Sequence, residues 1–252
     1  MKIEQLKNTA TPIILIYGNE GRGKTTLANR FSKSVWMLIE RGLPAGVIVD
    51  AISDLNTFAQ VVEALRALYL DPGPYRTLVI DTLDSLEPLL LDHVCAQHNW
   101  KNIESPSYGK GYVVADTAWQ GFLKGLDALR VKHGITIVLT AHAAVERFDD
   151  PRAPTYTMYL PKLHKRARAL VCDAADVIGF VAEELRVTVD LQGEEIKSWH
   201  RTNVSRVAAL LAIRVGRATS QGRPIMWSPR PELMQERRWV GPKHGRSSRP
   251  TE

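Results

Sequence analysis

The segment Gly18-Asn19-Glu20-Gly21-Arg22-Gly23-Lys24-Thr25-Thr26 gathers three glycines, a lysine and two hydroxyls within nine residues. Glycine lets consecutive backbone N–H groups turn inward around an anion, and a helix starting directly afterwards adds positive potential. In such a loop Lys24 is expected to reach the β- and γ-phosphates of a nucleotide such as ATP. The Thr25 hydroxyl is expected to ligand Mg2+, and residues 18–26 are expected to make the nucleotide contacts. A second acidic group is needed to hold the metal through water, and Asp81, closing the apolar run Thr77-Leu78-Val79-Ile80, suits that task.

The residue after Asp81 carries as much information as Asp81 itself. Many P-loop ATPases place there a glutamate that orients the attacking water, whereas this chain has Thr82. The general base must then come from elsewhere. Glu40, at the carboxyl end of Val35-Trp36-Met37-Leu38-Ile39, is the best-placed candidate, provided that strand neighbours the phosphate loop. The run Ile135–Thr140 ends in Ala141-His142, so His142 emerges where a γ-phosphate sensor would sit. It can hydrogen-bond the phosphate or the attacking water, or it can be a histidine satisfied by a neighbouring carboxylate. Lys24, Glu40 and His142 form the expected catalytic set.

These groups must be positioned by the elements between them. Residues 12–17 form an apolar, β-branched run ahead of the glycines, and residues 24–33 then have helical spacing. Strands are expected at 35–39, 47–50, 77–81 and 135–140, and helices at 55–70, 85–98 and 112–132. This alternation predicts an α/β fold, with a mostly parallel central sheet, helices on both faces and ligands at the carboxyl ends of the strands. Beyond residue 176 three short strands joined by tight turns predict antiparallel pairs towards the carboxyl terminus.

With 252 residues, the chain can bury one large core, and residues 1–239 are read as a single domain. The basic, Gly-, Ser- and Pro-containing stretch 240–252 reads as a disordered tail, since it has too little apolar surface to order itself. No apolar run approaches the roughly 18 residues that span a bilayer, and the amino terminus has no secretory pattern, so a cytoplasmic protein is expected. The two cysteines, Cys95 and Cys172, form no Cys-x-x-Cys pattern. Zinc at His93, Cys95 and His98 is disfavoured, because at about 100° per residue they do not share a helix face. A net charge of +6 favours polyanionic partners without requiring them.

The ordered set of features resembles a known group. The P-loop Tyr-Gly-x-Glu-Gly-x-Gly-Lys-Thr-Thr is followed by the strand-end Glu40, Val79-Ile80-Asp81-Thr82, Tyr108-Gly109-Lys110-Gly111-Tyr112 and Leu139-Thr140-Ala141-His142. Together they resemble the phage-encoded AAA-type ATP-binding proteins with a RecA-like core, which include short RecA-like single-strand annealing recombinases. The resemblance implies a RecA-like P-loop fold, with Lys24, Thr25, Asp81 and Glu40 as phosphate lysine, magnesium ligand, Walker B acid and catalytic glutamate, and His142 as sensor. It also implies a homo-oligomeric ring or filament whose neighbouring subunit supplies a cation to the γ-phosphate, for which Arg237 and Arg238 are candidates.

RecA-like cores contact single-stranded DNA through loops after the Walker B and sensor strands. The matching segments here contain Lys101, Tyr108, Lys110 and Tyr112, and then Lys162, Lys165, Arg166 and Arg168 within a stretch that begins near Arg147. Aromatic rings beside cations are what sequence-tolerant single-strand binding requires, although Lys162–Arg168 also reads as the solvated face of a helix. Two other functions fit the same P-loop. One is a nucleotide-switched assembly protein that docks a protein partner, and the other is a motor subunit for DNA packaging or unwinding.

Overall fold

The computed structural model describes residues 10–182, apart from 41, 150, 152 and 153, together with the backbone of 184–189 and 195–200. All of these residues belong to one compact unit. The chain runs through β1 (Ile13–Gly18), α1 (Lys24–Ala28), β2 (Ser34–Leu38), β3 (Asp50–Ile52), α2 (Phe58–Leu70) and β4 (Thr77–Asp81). It continues through α3 (Leu83–His98), α4 (Lys110–His133), β5 (Thr136–Phe148), β6 (Tyr156–Pro161), α5 (Lys165–Ala174), β7 (Val177–Val181), β8 (Glu184–Val189) and β9 (Glu195–His200).

The central sheet has the order β3-β2-β4-β5-β1-β7 with every pair along it parallel, and β6 joins the far half of β5 antiparallel. Strands buried on both faces should be continuously apolar, and β4 is buried at all five positions. Alternate residues then serve opposite faces. Leu15, Met37, Leu78, Ile80, Ile137 and Leu139 pack with α2, α3, α4 and α5 into the larger core. Ile16, Trp36, Val79 and Val138 pack with Ala28 of α1 and Val181 into a smaller one. Helices therefore lie on both faces, but unevenly.

Local chemistry explains the helix boundaries. Thr57 and Gln60 form a capping box at the start of α2. The Thr82 side chain accepts from the Ser85 N–H, so α3 begins at Leu83, two residues before the periodicity alone suggests. Helix α4 is closed by Gly134 at φ 64°, the left-handed conformation that glycine adopts without strain. A β-carbon on Gly125 would lie 2.8 Å from Leu65, so the absence of a side chain there lets α4 approach α2.

Four sequence expectations are corrected, the first being that the strand expected at 47–50 lies instead at Asp50–Ile52 as β3. Helix α1 ends at Ala28 rather than near residue 33, because Arg30 and Phe31 donate to the carbonyls three residues earlier and tighten the chain into turns ahead of β2. The strand expected at 135–140 continues to Phe148, its second half leaving the buried sheet to pair with β6, which the sequence had not revealed as a strand. The carboxyl-terminal strands split: β7 joins the main sheet parallel to β1, and only β8 and β9 form an antiparallel pair, in a sheet of their own. The expected tail at 240–252, and Arg237 and Arg238, lie outside the described residues.

Candidate functional site

Parallel register brings the chemically active residues to one edge of the sheet. Gly18 at the end of β1 is paired with His142 of β5 on one side and Val181 of β7 on the other. Leu38 of β2 is paired with Asp81 of β4, and the backbone N–H groups of Ile39 and Glu40 both donate to the Asp81 carbonyl, at 2.9 and 3.1 Å. The phosphate-loop strand and the acid-bearing strand are thus separated by β5. The condition attached to Glu40 is corrected accordingly: β2 does not adjoin β1, because β4 and β5 lie between them. Glu40 nevertheless lies within electrostatic reach of both Lys24 and His142.

Lys24 is buried, and its Nζ donates to the carbonyl oxygens of Gly18 and Asn19, each at 3.0 Å. Burial pulls the ammonium pKa down, against the opposing pull of Asp81, Asp84, Glu40 and Glu20. Thr25 donates from Oγ1 to Asp81 Oδ2 at 3.3 Å. The other Asp81 oxygen accepts a short hydrogen bond from the Thr140 hydroxyl, which lies 3.2 Å from the Ile80 carbonyl as well. A hydroxyl and a carboxylate converging at the mouth of a glycine loop form the hard oxygen set that Mg2+ accepts, so the residues present fit that ion.

His142 is held by Asp84: its backbone N–H donates to Oδ1 at 2.8 Å, and its Nδ1 lies 2.7 Å from Oδ2. The neighbouring-carboxylate reading of this histidine is therefore realised, at the same place where a sensor would sit. Asp84 and Thr140 are the two residues that sequence reasoning missed. Asp84, in the first turn of α3, carried a weak signal because acids there also serve a helix start; Thr140 carried none within its strand.

The glycines differ in what they permit. A β-carbon on Gly18 would lie 2.3 Å from the Val181 carbonyl oxygen, whereas Gly21, at φ 67°, has open space around it. Gly18→Ala is expected to cost about 1–3 kcal/mol by forcing β1 and β7 apart. Gly21→Ala should cost only the left-handed strain of about 1 kcal/mol. Urea unfolding of both variants checks the order.

The DNA-contact candidates are scattered by comparison. Lys101, Tyr108, Lys110, Lys162 and Lys165 are exposed. Arg166 is tied to Asp116, with Nε at 2.8 Å from Oδ2, and Arg168 grips both carboxylate oxygens of Glu146. The Tyr112 ring is stacked on His164 with centroids 3.9 Å apart. A cleft of about 500 Å³ is lined by Asp84, Glu87, Lys101, Ala144 and Lys162 among others. A larger, apolar groove of about 700 Å³ runs between α2, α3 and α4 and includes none of the phosphate-site residues.

A glycine loop ending in a buried lysine, set at the carboxyl edge of a parallel sheet beside an acid held by two hydroxyls, defines a P-loop nucleotide-binding protein. Residues 10–208 match the family described as AAA domain, and the chain belongs to that family. It is 27% identical over 191 residues to the SPbeta prophage-derived uncharacterized protein YorG of Bacillus subtilis (strain 168), a match covering 74% of this chain and 54% of that protein. The chain thus spans about half the length of the curated relative it matches. Among solved structures, the crystal structure of the RadB recombinase aligns with a TM-score of 0.43 and 15% identity, over 77% of this chain and 90% of that one. No helix among the described residues is long and apolar enough to cross a membrane.

Proposed function

We propose that the protein is an ATP- and Mg2+-dependent ATPase that binds single-stranded DNA and assists phage DNA recombination or strand annealing, as a homo-oligomeric ring or filament. Lys24 neutralises the β- and γ-phosphates, Thr25 and Asp81 hold the metal, Glu40 takes the proton from the attacking water, and His142 contacts the γ-phosphate. Mg2+ held by Thr25 and Asp81 would offset the charge of the phosphates. Thr140 keeps the Asp81 carboxylate turned towards the loop.

The observation that carries the DNA part is the junction at His142. The Lys162 backbone N–H donates to the His142 carbonyl at 2.8 Å. Lys162 and Lys101, remote in sequence, line the same cleft as the carboxylate that holds the His142 side chain. A strand laid across those lysines would sit against Asp84, the carboxylate that holds the His142 ring. Because Arg166 and Arg168 are engaged by carboxylates, Lys101, Lys110, Lys162 and Lys165, with Tyr108 for stacking, are the stronger candidates for the DNA surface.

The test is steady-state ATP hydrolysis with and without single-stranded DNA, with Lys24→Ala as blank. A several-fold stimulation is expected, with DNA affinity falling as salt rises. Each phosphate contact contributes about −0.7 to the logarithmic salt slope for a single strand, so Lys101→Ala combined with Lys162→Ala should flatten it by about 1.4. Binding that ignores salt, or a low hydrolysis rate that DNA leaves unchanged, would move the protein to the nucleotide-switched class.

A further inference from the structure

Of the two ring nitrogens of His142, only one remains for a ligand. Nδ1 is engaged by Asp84, and the same carboxylate takes the backbone N–H of His142, so the ring and its main chain are fixed from a single point. Both side chains are largely buried, with exposures of 12% for His142 and 10% for Asp84. The carboxylate in turn sits on a braced element. Thr82 caps α3 immediately before it, and one turn further on Glu87 accepts the backbone N–H of His164, at 2.9 and 3.2 Å, where α5 begins. Asp84 is therefore fixed to the framework of the sheet edge and is poorly able to follow the histidine if the ring turns.

We propose that Asp84 is a positioning residue: it keeps the Nδ1 proton of His142 on the α3 side and so leaves Nε2 as the nitrogen that meets the γ-phosphate, as a proton donor. This rests on the nucleotide reading above. A neutral imidazole with its proton on Nδ1 presents Nε2 as an acceptor, which repels a phosphate oxygen; the imidazolium presents a charged donor. A carboxylate against Nδ1 favours the second form. The hydrogen bond to Asp84 raises the His142 pKa, burial opposes, the charges of Asp84 and Glu40 raise it further, and the charge of Lys24 lowers it; the balance is upward. For Asp84, burial would raise the carboxyl pKa, but the hydrogen bonds and charge of His142 and the Thr82 hydroxyl outweigh it, and the balance is downward. The pair is thus charged between those two folded-state values. The donor form of Nε2 is lost as pH rises through the raised value of His142.

The full chain labelled with 15N-histidine, without nucleotide, is titrated by NMR, with the His142 signals identified by their loss in His142→Gln. The expected result is that Nδ1 stays protonated throughout while Nε2 titrates, with a midpoint above that of an unperturbed histidine side chain, and that Asp84→Asn moves the midpoint down. A resting tautomer with the proton on Nε2, or a midpoint at or below that of an unperturbed histidine side chain, overturns the proposal. The wild-type titration carries this arm alone if Asp84→Asn does not fold. In hydrolysis, the alkaline limb of the pH profile should move to lower pH in Asp84→Asn, with roughly a ten- to hundredfold loss above neutrality. An unmoved limb overturns the positioning role. If the wild-type protein hydrolyses no ATP, the functional reading fails, and the titration still decides whether Asp84 holds the ring.

Discussion

Lys24→Ala is expected to abolish ATP turnover, by at least about a hundredfold, the loss typical of removing one preorganised charge from a reacting phosphate or oxyanion. The reason lies in the balance of charge at the loop. Lys24 is the cation on which Asp81, Asp84, Glu40 and Glu20 all act. Without it, an incoming triphosphate meets those carboxylates with the Lys24 charge removed. The carbonyl groups of Gly18 and Asn19, which its Nζ bridges, also lose their donor. Nucleotide affinity should therefore fall together with turnover. Phosphate release and fluorescent-nucleotide binding measure the two effects, with circular dichroism establishing that the sheet is intact. Turnover within about tenfold of wild type would remove Lys24 from the catalytic role.

Glu40→Gln should lower the hydrolysis rate by about 10²–10⁴, the range for loss of a positioned general base, while nucleotide binding stays close to wild type. The contrast with Lys24→Ala is diagnostic because the two substitutions act at different stages. Glutamine preserves the size and the hydrogen-bonding reach of Glu40 and removes only its ability to accept a proton. The backbone of Glu40 is pinned to the Asp81 carbonyl, so the substituted side chain should remain at the same edge. Single-turnover hydrolysis alongside equilibrium binding separates the two contributions. If the rate were unchanged, the base would have to be another group, and Asp84, in the first turn of α3 and also acting on Lys24, would be the next to test.

How much of this was legible beforehand follows from the distance over which each feature acts. The phosphate loop was readable because its chemistry is local: the glycine spacing, Lys24 and Thr25 belong to one turn of chain, and the apolar run before them marks the strand. Asp81 was readable for the same reason, as the polar end of a buried run. Glu40 and His142 could be nominated as polar residues at strand ends, but strand periodicity does not say which strands adjoin. That β5 separates β1 from β4, and that β2 lies beyond β4, was decided by packing of the sheet as a whole.

The residues missed were those whose role depends on a partner far along the chain. Thr140 and Asp81 are separated by 59 positions and Asp84 and His142 by 58, so no local pattern links them. The antiparallel extension of β5 was hidden because its apolar half satisfies the strand pattern and its exposed half resembles a polar loop until β6 supplies the missing backbone partners. In the same way Arg166 and Arg168 look available in a list of cations, and only the fold brings Asp116 and Glu146 against them. The sequence by itself determined the phosphate chemistry, because those groups lie within a few bonds' reach of one another. The tertiary structure alone decided which charges are spent on one another and which are left facing a ligand, because the contacts between them exist only once the sheet has set its strand order and register.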